Sequence, residues 1–280
     1  MNVISSMGAE VALTVVTPRE IAGEEPTASV AAAMKKVDVI LCITDKQGLG
    51  HTDARKEASA AGARFYGIPQ VPIDDLKRVL SFEDIRLVKE RTENLAQRLT
   101  RASTAAVSNP SGTRITMSLA GREGLALHPM SKILAVLPDY AEAAIAPLEG
   151  TAEGTIVADL AIVGWGYVLT EPLRYTVKAG KIVDISGCVQ DAERVRKIIA
   201  TDENANNIAE LGLGTSHLIP WGMRGTRRDA GRIGTVHIAV GRNNDIGGET
   251  WSHIHLDSLI SKATVELDQY CLLREGVLLV

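Results

Sequence analysis

The first third of the chain alternates short apolar, β-branched runs with helical stretches, and this alternation constrains the fold more than any single motif. Val11 to Val16 is an apolar run ended by Pro18, and it reads as a buried strand. Ala28 to Lys36 is Ala-rich and helical, and Val37 to Ile43 is again apolar and β-branched. His51 to Ala61 reads as a helix with Gly62 at the capping position, where a left-handed residue ends many helices. Arg64 to Ile68 is a third strand, Phe82 to Leu99 a longer amphipathic helix, and Ala105 to Ser108 a fourth strand. Strand-helix alternation of this kind predicts a parallel sheet covered on both faces. Asn2 to Met7 reads as the last turns of a helix capped by Gly8, so a further βα unit is expected ahead of it.

After Asn109-Pro110-Ser111-Gly112 the pattern changes. Thr113 to Leu119 alternates with the period of two of a half-buried strand. Val157 to Leu169 is rich in small and β-branched residues, punctuated by Gly164 and Gly166. Leu173 to Ile185 reads as a hairpin with Ala179-Gly180 as its turn, and Val189 to Ala200 as a helix. Residues 231–248 are glycine-rich around an apolar strand from Thr235 to Val240, and Ala263–Leu267 with Val277–Val280 suggests a closing hairpin. The reading is an α/β fold in two parts: residues 1–110 as a parallel-sheet domain and residues 111–280 as a β-rich, metal-binding domain.

The composition excludes several functions. With 280 residues, 45% of them hydrophobic, the chain can bury one large core or two moderate ones. A net charge of −4 with scattered Lys and Arg offers no footprint for nucleic acid or anionic membranes. The 4% aromatic content leaves little for base stacking. Cys42, Cys188 and Cys271 form no CxxC pair, which fits buried thiols in a reducing compartment. No apolar run reaches the roughly 18–20 residues of a membrane span, and no secretory leader is visible, so a cytoplasmic protein is expected. GxGxxG, GxxxxGK[ST] and GxSxG are all lacking, so nucleotide folds and serine hydrolases find no support.

Five of the six histidines follow residue 110. In Ser252-His253-Ile254-His255-Leu256-Asp257, a strand would project His253, His255 and Asp257 from one face. An imidazole nitrogen and a carboxylate oxygen presented together suit a divalent cation. Solvent-facing or hydrogen-bonded side chains are the other reading. His237, in Gly234-Thr235-Val236-His237-Ile238-Ala239-Val240-Gly241, sits in an apolar strand as a ligand or a core histidine. Glu210 is a carboxylate among apolar residues and glycines, in Asn207-Ile208-Ala209-Glu210-Leu211-Gly212. Buried there it needs a cation, a donor or a proton; a salt bridge or solvent exposure is the alternative. Glu142 lies in a similar apolar stretch, and Glu149 and Glu153 follow it as further acids.

The runs NIAELGLGT, GTVHIAVG, GG and HIHLD resemble, in order and composition, the aminopeptidase T group of thermophilic metallo-aminopeptidases. AEAAIAPLEGTAEGTIVAD, Thr17-Pro18-Arg19-Glu20 and the stretch His51-Thr52 to Ala54-Arg55 resemble it too, so the likeness spans nearly the whole chain. The resemblance implies that Glu142, Glu210, His237, His255 and Asp257 hold one or two divalent ions (zinc, cobalt or manganese), with Glu210 bridging. It further implies that Glu210 and His237 serve catalysis; His51 and Arg55 are candidate substrate contacts from the first domain, the alternative being a helix start on the surface. The chain's length and its short GG-to-HLD spacing also resemble the 2,5-dihydroxypyridine dioxygenase branch, which uses one ferrous ion. In that branch a His stands in place of Glu210 and none at His237, so the ligand set favours the hydrolase. The family's tyrosine after GTVHIA is replaced here by the region of Asn243 and Asn244.

The resulting expectation is a metal-dependent hydrolase of amide or peptide bonds with a small-molecule or peptide substrate. The alternatives are a non-haem iron(II) ring-cleaving dioxygenase and a non-catalytic metal or small-molecule binding protein. The resemblance also implies a homo-oligomer, favoured by the sheet edge that an absent first βα unit would expose.

Overall fold

The structure, a computed structural model, describes every residue except Met1, Pro18, Lys46, Gln47, Ile133, Trp221 and Val280, and for Asn2 and Val3 it describes the backbone only. Three sheets organise it. The first is parallel, in the spatial order Val39–Thr44, Arg64–Pro69, Leu134–Val136. Helices Ala28–Met34 and Asp53–Ala60 accompany it, and Met34, Ala54 and Ala58 pack with Phe65 in one buried cluster. The second helix is capped by Thr52, whose hydroxyl accepts the Arg55 N–H at 3.1 Å, and it is followed by Gly62 at φ +104°. Gly8, at φ +87°, likewise follows the short helix Asn2–Ser6.

This α/β part departs from the sequence expectation in three ways. Val11 to Val16 forms no strand, and Leu13 and Val15 are 71% and 86% exposed. A β-branched run is a strand only if an edge accepts it, and no neighbour pairs with this one. The sheet is covered on one face only, since Val39, Leu41 and Ile43 are each more than 40% exposed. Ala105 to Ser108 is a strand, but it belongs to another sheet, and Leu134–Val136 takes the third parallel position.

The second sheet has eight antiparallel strands and includes the hairpin Leu173–Lys178 with Lys181–Ser186. Its turn residues Ala179 and Gly180 both have positive φ, 46° and 74°, the backbone of a two-residue hairpin loop. At the other end, Thr264–Leu267 joins Thr104–Ser108 to Tyr270–Arg274. The closing hairpin is therefore Thr264–Leu267 with Tyr270–Arg274, and Val277–Leu278 adds one strand further out.

The third sheet carries the chemistry. Its strands, in order, are His255–Ile260, Val236–Gly241, Ile208–Gly214, Glu142–Ile145 and Leu125–Leu127. Strand alternation splits it into two faces. Leu211, Leu213, Val236, Ile238, Val240, Leu256 and Ile260 join the main core with residues of the eight-stranded sheet such as Val107, Ile156 and Val177. The opposite face carries Glu142, Glu210, His237, His255 and Asp257, all buried. Helix Phe82–Arg101 runs beside strands Glu142–Ile145 and Leu125–Leu127. Ser81 caps it by accepting the Asp84 N–H at 3.0 Å. Acids in its first turn and arginines in its last match the helix dipole.

Candidate metal centre

Cross-strand register brings the five donors together. Glu210 and Asp257 lie on either side of Ala239 in one row, and His237 faces Gly212 in the next. Small residues between the long ones let carboxylates and imidazoles lean over the sheet. Gly212 is decisive, because a β-carbon there would sit 2.0 Å from His237 Nε2.

Two donor groups result, and they share Glu210: Glu142, Glu210 and His237 form one, and Glu210, His255 and Asp257 the other. His255 Nε2 is 2.9 Å from Glu210 Oε2 and 3.0 Å from Asp257 Oδ1. His237 Nε2 is 3.3 Å from Glu142 Oε2 and 3.5 Å from Glu210 Oε1. Despite these distances His255 Nε2, Asp257 Oδ1 and Glu142 Oε1 make no well-aligned hydrogen bond, although all three are buried. Buried polar atoms are nearly always paired. Lone pairs converging on a common point without bonding each other are what a cation requires, so these residues fit a divalent metal.

The surroundings fix the donors. His255 Nδ1 donates to the Arg242 carbonyl at 2.8 Å, which leaves Nε2 free to ligate. The Tyr140 hydroxyl donates to Glu142 Oε2, and the Tyr140 ring leans on Gly231, where a β-carbon would come within 2.5 Å of it. Arg227 donates from Nη1 to Asp257 Oδ2 at 3.1 Å and lies 3.9 Å from Glu142 Oε1. It stands at the start of the short helix Arg227–Gly231, where Asp229 accepts the Thr226 N–H at 3.0 Å.

Burial and charge set the protonation states. Burial alone would raise Glu210, but the close imidazoles of His237 and His255 pull it down to about 2. Burial alone would lower His237, yet the close Glu210 carboxylate and the charges of Glu142 and Asp257 push it up to about 9. His255 is raised well above its ordinary value in the same way, by Asp257 and Glu210 against burial. Asp257 is held well below its ordinary range, because Arg227 and His255 outweigh burial. Glu142 is raised, with burial the main cause.

The sheet thus brings together all five sequence-nominated ligands, and it adds His51 and Arg55 beside them. The His51 ring stacks on His255 with centroids 4.0 Å apart and planes 7° apart. Arg55 Nη2 donates to Asp245 Oδ2 at 3.3 Å. The histidine at 253 is not part of the cluster: it precedes the strand, is exposed, and packs edge-on against Trp251. Three neighbours were invisible to sequence reasoning, namely Tyr140, Arg227 and Asp245. For Tyr140 the two-residue spacing to Glu142 was an available signal; for the others no local pattern exists. A narrow cleft opens beside the donors, walled by Phe65, Leu127, Leu134 and Val136, with His51 and Arg227 as its charged or titratable lining.

A mixed α/β chain with a buried imidazole–carboxylate cluster on a sheet face is an architecture that can hold a divalent metal. Residues 4–280 match the family model described as 2,5-dihydroxypyridine 5,6-dioxygenase, and the chain belongs to that family. It is similar in fold to the 2,5-dihydroxypyridine dioxygenase of Pseudomonas putida KT2440. The TM-score is 0.77 at 19% identity, over 95% of this chain and 80% of that one. It is also similar to the wild-type AmpT of Thermus thermophilus. There the TM-score is 0.61 at 18% identity, over 90% of this chain and 79% of that one. No curated protein sequence matches the chain. Among the described residues no helix is long and apolar enough to cross a membrane. The family match favours the dioxygenase-like branch over the hydrolase that the ligand set suggested.

Proposed function

We propose that the chain is a metal-dependent dioxygenase that opens the ring of a hydroxylated N-heteroaromatic compound. The observation that carries this reading is the buried donor group Glu210, His255 and Asp257, in a chain whose residues 4–280 match the 2,5-dihydroxypyridine 5,6-dioxygenase family. The small cleft next to His51 and Arg227 has apolar walls that suit the edge of an aromatic ring, and those two polar groups can meet an acidic hydroxyl. Glu210, His255 and Asp257 would hold a divalent ion, iron(II) in this reading, for which imidazole and carboxylate donors are suited. When bound, that ion supplies a site for dioxygen and for the substrate's oxygen.

The protein's own residues bind and orient. Burial pushes His51 down, so its imidazole is neutral at physiological pH. Arg227 Nη2 donates to His51 Nε2 at 3.2 Å, which marks that nitrogen as the acceptor. A substrate hydroxyl that takes the place of the Arg227 N–H at Nε2 meets a base there, and the displaced guanidinium stabilises the resulting oxyanion. Arg227 also offsets the charge of Asp257 and Glu142.

A second reading, a metallohydrolase of amide bonds, draws on one specific observation. Glu210 points Oε1 at His237 and Oε2 at His255, so one carboxylate can bridge two cations. Metal analysis of protein purified without added metal, followed by oxygen uptake with 2,5-dihydroxypyridine and an aminoacyl-amide screen, separates the two. One iron with oxygen uptake supports the dioxygenase. Two zinc, cobalt or manganese ions with amide hydrolysis and no oxygen uptake would sink it.

A further inference from the structure

The turn Gly241–Asp245 touches both stacked imidazoles on the same side. Its Arg242 carbonyl accepts from His255 Nδ1 at 2.8 Å, and Asp245 Oδ2 lies 3.0 Å from His51 Nδ1. The rings are parallel to within 7°, so anchoring both Nδ1 atoms in one turn aims both Nε2 atoms at the centre. His255 Nε2 meets Glu210 and Asp257, and His51 Nε2 meets Arg227, which itself holds Asp257. Nothing local in Arg242-Asn243-Asn244-Asp245 announces this role.

We infer that Asp245 is a positioning residue for the reaction of the proposed function, acting as the hydrogen-bond acceptor that fixes the His51 ring with its proton on Nδ1 and its lone pair on Nε2. Arg227 can only donate, so the nitrogen it meets is unprotonated and the proton lies on the side of Asp245. The Asp245 side chain is fully buried and is gripped in turn by Arg55, whose Nη2 donates to the same oxygen at 3.3 Å. Arg55 is fixed by its own bond from Nε to the Gly50 carbonyl at 2.8 Å. Helix Asp53–Ala60 of the α/β part therefore locks the acceptor, the acceptor locks His51, and His51 lies flat on a candidate metal ligand. Arg55, nominated from the sequence as a substrate contact, acts here through Asp245.

The inference rests on the proposed function for its consequence in turnover, but its geometry is tested without turnover. The full chain, labelled with nitrogen-15 and loaded with zinc to keep it diamagnetic, is read by imidazole NMR. The His51 signals are assigned by their loss in His51→Gln. The wild type shows His51 protonated at Nδ1 with a hydrogen-bonded, low-field proton. Asp245→Asn, which keeps a neutral acceptor in place, retains that line. Asp245→Ala loses it to solvent exchange, and in the active enzyme lowers kcat roughly 10–100-fold at unchanged KM and metal content. A role limited to balancing the charge of Arg55 predicts that Asn and Ala fail alike, and that result overturns the inference. So does a wild-type ring protonated at Nε2, a reading available even if Asp245→Ala fails to fold. The Nδ1 proton found in a protein that opens no hydroxypyridine ring supports the positioning role and removes the proposed function instead.

Discussion

Gly212 lies directly across the sheet from His237, and the imidazole occupies the space that any side chain at 212 would need. A β-carbon there would approach Nε2 to 2.0 Å and Cε1 to 2.1 Å. The strand cannot retreat, because Leu211 and Leu213 are packed in the main core on its other face. Gly212→Ala is therefore expected to evict the ring rather than shift the backbone. Overpacking of this kind costs about 1–3 kcal/mol. The variant should fold, with circular dichroism unchanged, and lose roughly 10-fold or more in metal affinity. Calorimetric titration with zinc checks it, and unaltered affinity would show that His237 does not ligate.

Metal uptake should release protons. In the metal-free protein His237 is held up at about 9 and His255 well above its ordinary value, so both imidazoles carry a proton at neutral pH. Glu210 at about 2 and the depressed Asp257 are already ionised. The sign follows: a cation must displace protons from nitrogen, so apparent affinity rises with pH through the neutral range. One displaced proton gives about a 10-fold rise per pH unit, and two give about 100-fold. Titrations between pH 6 and 8, in buffers of different ionisation enthalpy, count the protons directly. A pH-independent affinity would mean that the imidazoles are not ligands.

The sequence made the donors legible because they sit in strands, where a spacing of two is a spatial statement. His255 and Asp257 share a face for that reason alone, and the apolar residues between them mark which face is core. The hairpin at Ala179-Gly180 was legible because its turn demands a backbone few residues adopt. Long-range pairing was not. Ala105–Ser108 is a strand by composition and pairs with the nearby Arg114–Ser118, but its second partner, Thr264–Leu267, lies more than 150 residues away, and only packing selects it. Val11–Val16 shows the converse, an equally apolar run with no edge to join. Arg227 and Asp245 act through the tips of their side chains across the fold, and no local period encodes such a contact.

His253 and His255 provide an internal control for where the strand begins. Both belong to the same tripeptide, yet His253 is exposed against Trp251 while His255 is buried among carboxylates. His255→Ala should abolish tight metal binding, and His253→Ala should leave metal content and activity within about twofold, as for surface changes worth less than 0.5 kcal/mol. Elemental analysis of the two purified variants decides. Equal metal loss in both would place the cation outside the sheet face.

Asp139 ties the helix carrying Arg227 to the strand carrying Glu142. Its carboxylate is fully buried and receives Arg228 through both Nε, at 3.2 Å, and Nη2, while Arg78 adds a third bond at 3.0 Å. Three residues further along the chain Glu142 enters the centre, and one residue before Arg228 Arg227 reaches Asp257. Removing the acid leaves the Arg228 guanidinium buried, with Asp75 its one acid partner among the described residues. Breaking a buried pair from one side costs roughly 3–5 kcal/mol when the remaining charge is uncompensated, and the ion pair with Asp75 brings the cost below that figure. Asp139→Ala should therefore lower the denaturation midpoint strongly. The variant Asp139→Ala/Arg228→Met, which removes both charges, should recover much of the loss. If metal affinity returns with stability in the double variant, Asp139 acts through the scaffold. If stability returns while metal affinity stays low, the carboxylate itself sets the position of Arg227 against Asp257.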